Sequence, residues 1–208
     1  MVFKDRADAG RELARSLAFL KNESHVIVLG IPRGGVVVAA GVAHALNAPL
    51  DVFIAHKLGA PSNPELAIGA IAGDGAILLD DVVVRDLKIS EKDIAREAEL
   101  QRKEIARRAK LYRQDRPPLK VQNKTVVLID DGVATGSTVL VSLRALRQQL
   151  PAKLILAIPV GPADTLARLA RECDQLDVIE RPAMFWAVGQ FYLNFGQTSD
   201  EEVIALLR

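Results

Sequence analysis

The sequence has little cysteine and no long apolar run, and each shortage limits what the protein can be. A single cysteine, Cys173, excludes an internal disulfide framework and favours a reducing compartment. No run of about 18 apolar residues indicates a membrane span, and the N-terminus lacks the apolar core of a signal peptide. We therefore expect a cytoplasmic protein that has no membrane partner.

An excess of charge of either sign is missing too. The 27 Lys and Arg residues nearly balance the 26 Asp and Glu residues, so the formal net charge is +1. No overall basic field therefore points to nucleic acid as a partner. Hydrophobic residues make up 50% of the 208 positions and charged residues 25%, which is typical of a globular chain with a real core. This length suits one domain, over residues 1–208.

Short apolar runs alternate with helical patterns along most of the chain. The predicted strands are 25–31, 50–56, 124–130, 152–160 and 176–180, and the predicted helices are 5–20, 35–48, 90–113, 137–150 and 163–172. Continuous apolar strands are expected where helices cover both faces of a sheet. The alternation predicts an α/β fold, with a parallel sheet flanked by helices and a core over about 25–180.

Two regions interrupt that alternation. Residues 57–80 are rich in Gly, Pro and Ser, which predicts a mobile loop over about 57–64 and then a hairpin that turns at 73–75. Residues 90–113 form a highly charged helix that begins at Ser90, and its second half is basic. That half could bind a polyanion, but a solvated face or a subunit contact, as in a homodimer, is favoured because the whole chain is near neutral.

The stretch "VVLIDDGVATGST" (126–138) ends a strand with two adjacent carboxylates and then turns at once into glycine, threonine and serine. Ligands of open α/β sheets bind beyond the carboxyl ends of the strands, where Asp130 and Asp131 would lie. Adjacent carboxylates near a core are costly unless something positive or hydroxylated meets them. Gly132 and Gly136 permit close backbone approach, and the amides of the loop and the next helix form an anion site. A phosphorylated sugar fits both features.

Two other phosphate-binding patterns are excluded. The nucleotide P-loop G-x-x-x-x-G-K-[ST] is absent, since no lysine lies within 132–138, and so is the dinucleotide pattern G-x-G-x-x-G. An ordinary strand-to-helix turn with acids facing water is disfavoured, because acids, glycines and hydroxyls occupy interlocking positions. The sequence therefore favours a sugar-phosphate site.

The stretch 126–138 resembles the motif by which type I phosphoribosyltransferases bind phosphoribosyl pyrophosphate (PRPP). In that family the acidic pair engages the ribose hydroxyls, sometimes through Mg²⁺ or its waters, and the loop holds the 5-phosphate. The resemblance implies Mg²⁺ as cofactor, with Asp130 and Asp131 as ribose ligands and, directly or through water, as metal ligands. The implied PRPP-binding residues are Asp130, Asp131, Gly132, Val133, Ala134, Thr135, Gly136, Ser137 and Thr138.

Two further stretches resemble the part of that family's site that binds pyrophosphate. "GIPRGG" (30–35) follows the first strand, where Arg33 would supply charge and Gly34 and Gly35 would free backbone amides. "HKLGAPSNPE" (56–65) resembles the start of the family's flexible loop, and its basic residue is Lys57. A plain turn and an ordinary surface lysine are the alternative interpretations of these two stretches.

The C-terminal tail is unusually aromatic, since residues 179–196 hold five of the nine aromatic residues. It resembles the hood of purine phosphoribosyltransferases, in which an aromatic ring stacks on the base. The resemblance implies a type I phosphoribosyltransferase fold with a small hood over about 181–208 and the N-terminal helix. Phe185 or Trp186 would stack on the base, unless these rings only dock the tail on the core.

The resemblance implies an enzyme that transfers a phosphoribosyl group from PRPP to a nitrogenous base and releases pyrophosphate, with Lys57, Asp130 and Asp131 as catalytic residues. Ala134 stands where enzymes for 6-oxopurines have an aspartate, and no lysine follows the strand 152–160 to contact O6. The acceptor is therefore expected to be another small heterocycle. A non-catalytic sensor of PRPP or a nucleotide is the alternative, and the basic helix is the feature that favours it.

Overall fold

A computed structural model describes residues 2–73, 75–114 and 116–208, with all of their side chains except that of residue 65. Two sheets are present in this part of the chain. The larger has five parallel strands, in the order 50–52, 26–30, 125–129, 153–160 and 175–180, and the smaller has three antiparallel strands, in the order 55–60, 63–72 and 77–79. Parallel strands joined by helices confirm the predicted α/β architecture.

The strands are β1 Val26–Gly30, β2 Leu50–Val52, β3 Ala55–Ala60, β4 Asn63–Ala72, β5 Ile77–Leu79, β6 Thr125–Ile129, β7 Lys153–Val160 and β8 Gln175–Glu180. The helices are α1 Arg6–Ser16, α2 Gly34–Leu46, α3 Asp81–Asp86, α4 Glu91–Arg113, α5 Ser137–Gln148, α6 Ala163–Leu169 and α7 Asp200–Leu206. Short 3₁₀ turns cover Ala18–Leu20 and Val188–Phe191.

The central strands are apolar on both faces because helices cover both. Val126 and Leu128 of β6 face a core cluster that includes α5, whereas Val127 and Ile129 face a second cluster that includes α1 and α2. β1 pairs with β6 in parallel, with Val28 opposite Val127. This register brings the carboxyl ends of β1 and β6 to the same edge of the sheet, which is the edge where ligands of such folds bind.

The predicted strand 50–56 is wrong in its extent, because it is two strands that belong to different sheets. β2 ends at Val52 and pairs with β1, and β3 begins at Ala55 and pairs with β4. Phe53 and Ile54 are buried between them, in two different core clusters. The apolar run continues across this junction, so it contains no signal of the change of sheet.

The predicted loop over 57–64 is also corrected, because most of it is strand. β3 and β4 form a hairpin that turns at 61–62, and Leu58 and Ala60 are buried. Burial of these side chains outweighs the loop preference of the surrounding Gly, Pro and Ser. The second hairpin is confirmed, since β4 and β5 pair antiparallel around the predicted turn. Asp74, in the middle of that turn, lies outside the described residues.

The two ends of the chain meet beside the carboxyl edge of the larger sheet. The Phe3 amide donates to the Phe191 carbonyl at 2.8 Å, and the Leu193 amide donates to the Phe3 carbonyl at 2.8 Å. The predicted helix 5–20 is α1 followed by a 3₁₀ turn, and Leu13, which the sequence assigns to its apolar side, is fully buried. The N-terminal segment thus adds a short extended piece to the hood.

α4 is the charged helix expected from the sequence. It begins after Ser90, whose side chain caps it by accepting from the Asp93 amide at 3.1 Å. Like every other helix in the described part of the chain, it is too short or too polar to cross a membrane. α3 and α7 are short and were not predicted, since six or seven residues give little helical periodicity.

Candidate functional site

The two predicted carboxylates lie directly after β6, at the carboxyl edge of the sheet. The Asp131 amide donates to Asp130 Oδ1 at 2.9 Å, which fixes the Asp130 side chain beside its own backbone. Both residues are mostly buried. Burial, together with the neighbouring charge of Asp131, raises the pKa of the Asp130 carboxyl well above its usual range. Burial also raises the pKa of Asp131, although Arg6 opposes that shift.

Arg6 is the closest cationic partner of the pair, and it was not predicted from the sequence. Its Nε donates to Asp131 Oδ2 at 2.6 Å, and both side chains are largely buried. The Tyr192 hydroxyl donates to the Asp131 backbone carbonyl at 2.5 Å. Arg6 and Tyr192 are far from 126–138 in the sequence, and no motif carries either, so only the folded chain reveals these contacts.

The predicted pyrophosphate loop contacts the acidic pair at van der Waals distance. A Cβ on Gly34 would overlap Asp131 Oδ2, and a Cβ on Gly35 would lie 2.8 Å from the Asp130 Cα. Glycine is therefore required at both positions by space alone. The structure brings these residues to the start of α2, after a cis Pro32–Arg33 peptide bond.

The Arg33 side chain points to α7 rather than to the carboxylates. Its Nη1 lies 3.9 Å from Asp200 Oδ1, and its side chain is one-third exposed. The same Asp200 oxygen accepts from the Tyr112 hydroxyl of α4 at 2.6 Å. Arg33 is thus at the rim of the site, in a loose ion pair that an incoming anion can replace.

The loop after the carboxylates has the geometry expected of a phosphate site. Gly136 has φ 72°, a left-handed conformation that favours glycine, and it directly precedes α5. The first amides of α5 therefore point out of the helix N-terminus. α6 supports the loop from outside, since Thr165 Oγ1 donates to the Ala134 carbonyl at 2.8 Å and Arg168 donates to the Thr135 carbonyl.

The remaining predicted loop residues occupy different depths around this turn. Val133 is buried, Ala134 and Thr135 are exposed, and Ser137 and Thr138 are half-buried. A Cβ on Gly132 would lie 2.5 Å from Val188 Cγ1, so the hood contacts the start of the loop. The exposed Thr135 and the half-buried Ser137 and Thr138 thus place hydroxyls at or near the surface of the turn.

Lys57 lies on β3, opposite Ala70 of β4, and is half-buried. It is five residues beyond Val52, which pairs with Gly30 at the end of β1. The hairpin that carries Lys57 therefore begins next to the pyrophosphate loop. His56 precedes it, with Nδ1 2.9 Å from Gln101 Oε1, and burial lowers the pKa of this imidazole.

The two candidate stacking residues differ in their surroundings. The Phe185 ring stacks on Phe191, with ring centroids 5.6 Å apart, so it docks the hood on the core. Trp186 is 86% exposed, and its backbone amide donates to Gln190 Oε1 at 2.8 Å. Stacking on an acceptor stays a prediction for both residues, but the free ring surface belongs to Trp186.

A cavity of about 550 Å³ lies away from the acidic pair, between α4, the end of β2 and the segment 118–121. Arg113 forms one of its walls and is held in place by two groups of β2, donating to Asp51 Oδ1 at 3.0 Å and to the Val52 carbonyl at 2.7 Å. The described residues that line it include none of the predicted site residues. This cavity is therefore separate from the carboxylate site.

Among the residues that the structure describes, the carboxylate pair is the candidate ligand of a metal ion. Within the described ranges, no group of three or more His, Cys, Asp or Glu side chains is arranged to hold a metal ion. Mg²⁺ commonly binds one or two carboxylates together with substrate phosphates and water. The pair therefore fits a Mg²⁺ ion that a phosphorylated substrate also ligates.

Comparisons with known proteins agree with this geometry. A family model described as "Phosphoribosyl transferase domain" matches residues 3–195. Two Mycobacterium tuberculosis proteins, from strains CDC 1551 and H37Rv and each named "Putative phosphoribosyl transferase", are 46% identical over 208 residues, which is 99% of this chain and 46% of each relative. The chain thus spans about half the length of these relatives. The crystal structure of TT1426 from Thermus thermophilus is 40% identical, with a TM-score of 0.87 over 100% of this chain and 98% of that one.

Proposed function

Because the chain belongs to the phosphoribosyl transferase domain family, we propose that it transfers the phosphoribosyl group of PRPP to a nitrogen of a small heterocyclic acceptor. The family match confirms the predicted family and fold class, and it supports a transferase. One observation carries the proposal: the acidic pair, the phosphate loop and the pyrophosphate loop meet at one edge of the sheet, with Gly34 and Gly35 against the carboxylates.

Each part of the site matches one part of PRPP. The amides at the start of α5, with the hydroxyls of Thr135, Ser137 and Thr138, would bind the 5-phosphate. The carboxylates of Asp130 and Asp131 would accept hydrogen bonds from the two ribose hydroxyls. The backbone before α2, with Arg33 and Lys57, would bind the pyrophosphate. The ribose C1 would then lie between the sheet edge and the hood.

The chemistry requires positioning and electrostatics more than a covalent nucleophile. The C1–oxygen bond to pyrophosphate breaks as the acceptor nitrogen forms its bond to C1 and releases its proton to pyrophosphate or water. Positive charge develops on the ribose and negative charge on the leaving group. Ionised carboxylates at the ribose stabilise positive character on the ring, and cations at the pyrophosphate stabilise the developing negative charge. When bound, Mg²⁺ supplies further positive charge beside the phosphates.

The arrangement of α4 weakens the sensor alternative. Glu104 accepts from Arg107 at 2.7 Å and from Arg108 at 2.7 Å, and these two bonds lower the pKa of its carboxyl to about 2. Arg113 is bound to Asp51 in the core. Three of the basic side chains that favoured a polyanion site are thus engaged within the protein, as expected of a solvated helix face.

Calorimetry of PRPP binding tests the proposal directly. Wild-type protein is titrated with PRPP in the presence and absence of Mg²⁺, and the Asp130→Asn, Asp131→Asn double variant is titrated alongside. We expect the double variant to bind PRPP at least about tenfold more weakly, which corresponds to about 1.4 kcal/mol. Equal affinity in the two proteins, or no binding to the wild type, would remove the basis of the proposal.

Control titrations identify which part of PRPP is recognised. Asp164→Asn removes an acid from the first turn of α6, which supports the phosphate loop, but leaves the acidic pair unchanged. The affinity of Asp164→Asn for PRPP should equal that of the wild type. Titration with ribose 5-phosphate should retain the dependence on Asp130 and Asp131, whereas titration with pyrophosphate should not.

A further inference from the structure

Arg6 has more partners than an ordinary ion pair needs. Its Nε donates to Asp131 Oδ2, while its Nη1 donates to the Gly196 carbonyl at 2.7 Å. The guanidinium carbon also lies 3.9 Å from the centroid of the Phe195 ring, within the range of a cation–π contact. One side chain at the start of α1 therefore joins the Asp131 carboxylate to Phe195 and Gly196 of the hood.

The hood reaches the same carboxylate residue by a second route. Tyr192 donates to the Asp131 carbonyl, and its ring stacks on Phe195 with centroids 5.0 Å apart. The amides of Leu193 and Asn194 donate to the carbonyls of Phe3 and Lys4, at 2.8 and 3.0 Å. Asp131, the N-terminal segment and residues 191–196 therefore form one connected network.

We propose that Arg6 is a positioning residue that couples occupancy of the ribose site to the ordering of hood residues 191–196. The inference rests on the proposed function, since it takes PRPP as the ligand of Asp131. It assigns Arg6 no contact with the reacting atoms.

The direction of the coupling follows from the geometry. Arg6 binds only Oδ2 of Asp131, and Nε is a single, directed donor. A ribose hydroxyl that donates to the other oxygen fixes the plane of the carboxylate, and so fixes Oδ2 in line with Arg6. The guanidinium is then held more firmly against Phe195 and Gly196. By linkage, an ordered hood favours the ribose-bound state by the same factor.

A purely structural ion pair would not behave in this way. It would stabilise the protein equally with and without ligand, so its loss would lower the melting temperature and leave the response to PRPP unchanged. The two roles therefore differ in a ligand-dependent signal from the hood, which can be measured without an acceptor.

Amide hydrogen exchange of the hood, measured with and without PRPP and Mg²⁺, provides that signal. In the wild type, we expect saturating PRPP to slow exchange of Leu193 and Asn194 by about fivefold or more, the lower end of typical coupling factors. In Arg6→Gln, PRPP should still bind by calorimetry, but the slowing should be lost. Arg6→Lys keeps the charge yet cannot hold the carboxylate, Gly196 and Phe195 together, so it should restore only part of the slowing.

Arg11→Gln is the matched control, because Arg11 lies on the same helix and pairs only with the half-buried Asp8 within the described contacts. In Arg11→Gln, PRPP should slow exchange of Leu193 and Asn194 as it does in the wild type. If Arg6→Gln fails to bind PRPP, Phe195→Leu decides the question, since it weakens the hood end of the network and leaves the carboxylates unchanged. That variant should then bind PRPP and lose most of the slowing.

Each outcome has one meaning. A wild type that binds PRPP without slowing at Leu193 and Asn194 overturns the coupling, and so does full slowing in Arg6→Gln. Where Arg6→Gln fails to bind PRPP, full slowing of exchange in Phe195→Leu overturns the coupling. A wild type that does not bind PRPP in the calorimeter overturns the proposed function itself, and the coupling with it.

Discussion

At the scale of single residues, Asp130 and Asp131 are neighbours with the same chemistry but different partners. Asp131 has the Arg6 guanidinium at 2.6 Å, whereas the Asp130 carboxyl is hydrogen-bonded only to Asp131 in the described contacts, through the Asp131 amide at 2.9 Å and through its side chain. In the ligand-free protein, the negative charge of Asp130 is therefore less compensated. We expect substitutions at the two positions to change stability in opposite directions.

Asp130→Asn should raise the melting temperature of the ligand-free protein, because it removes a charge that burial and Asp131 disfavour. A relief of about 1 kcal/mol corresponds to about 2–4 °C in a protein of this size. Asp131→Asn should lower the melting temperature, since Arg6 loses an ionic hydrogen bond worth about 1.5–3 kcal/mol. Differential scanning calorimetry at pH 7 measures both shifts, and equal signs would contradict the assignment of Arg6.

The gain in stability from Asp130→Asn should depend on pH. The folded-state pKa of Asp130 is raised above its unfolded value, so protonation of Asp130 stabilises the folded protein at low pH, and this contribution is lost as pH rises through the folded-state pKa. The wild type and Asp130→Asn should therefore have similar urea midpoints at about pH 4, near the unfolded pKa of Asp. The midpoint of Asp130→Asn should become the higher one as the pH approaches 7. A difference that stays constant between these pH values would show that the charge of Asp130 is not its cause.

Lys57 should affect the reaction more than binding. Charge on the pyrophosphate grows as the C1–oxygen bond breaks, so a lysine that meets it contributes more in the transition state than in the ground state. Lys57→Ala should lower kcat by a larger factor than it raises the dissociation constant for PRPP. Steady-state kinetics and calorimetry on the same preparation give both factors, and Lys88→Ala, outside the hairpin, is the control. Equal losses in both quantities would argue against a role on the leaving group.

At the scale of elements, α7 joins two parts of the molecule that the sequence keeps apart. Asp200, its first residue, accepts from Tyr112 of α4 at 2.6 Å and lies 3.9 Å from Arg33 of the pyrophosphate loop. Burial and the bond to Asp200 raise the pKa of Tyr112 to about 12. The C-terminal helix therefore holds the charged helix against the site.

Tyr112→Phe should lower the free energy of unfolding by about 1 kcal/mol, because it leaves the Asp200 carboxylate without this donor. The folded pKa exceeds the unfolded value of 10, so the stability that Tyr112 contributes is fully present below pH 10 and is lost as pH rises toward 12. The difference between wild type and variant in urea unfolding should thus be smaller at pH 11 than at pH 8. Asp200→Asn should reproduce the loss at pH 8, and identical midpoints for wild type and Tyr112→Phe would contradict this account.

The elements show which physical signals a single sequence carries. β1, β6 and β7 were predictable because buried parallel strands are continuous apolar runs, and Asp130 and Asp131 were predictable because acids, glycines and hydroxyls follow β6 at once. The break between β2 and β3 was not predictable, since the two residues at the break, Phe53 and Ile54, are apolar like the strand residues on either side. The β3–β4 hairpin was mistaken for a loop because its Gly and Pro residues mark a turn more strongly than its small buried residues mark a strand.

At the scale of the whole molecule, the site depends on both ends of the chain. Arg6 reaches Asp131 across 125 positions and Tyr192 reaches it across 61. Contacts of this kind follow from the way the two ends pack on the sheet edge, and no local pattern encodes them. The sequence therefore predicted residues that the structure brings to one edge of the sheet, and it gave no indication of the side chains that hold those residues in place.

The acceptor would be selected by this whole assembly, between the sheet edge, the turn after β6 and the hood. Ala134 is exposed on that turn and has no group that could exchange a proton with a base. The segment that leaves β7 passes through Gly161 and Pro162 into α6 without a lysine. A site that lacks an acid at position 134 and a lysine after β7 gives little preference to a polar base that needs them. A flat ring such as that of Trp186 still favours a planar base.

We therefore expect a planar heterocycle other than a 6-oxopurine to be the acceptor. The measurement is a panel of hypoxanthine, guanine, xanthine, adenine, uracil and orotate with PRPP and Mg²⁺, followed by release of pyrophosphate. Hypoxanthine and guanine should react with kcat/KM below about 10⁴ M⁻¹s⁻¹, the lower end of ordinary enzymes, and Ala134→Asp should raise their values if the missing acid limits the reaction. Efficient use of either base by the wild type would refute this specificity. Failure of all six bases, with PRPP still bound, would instead favour a sensor, and Trp186 fluorescence would then report nucleotide binding without chemistry.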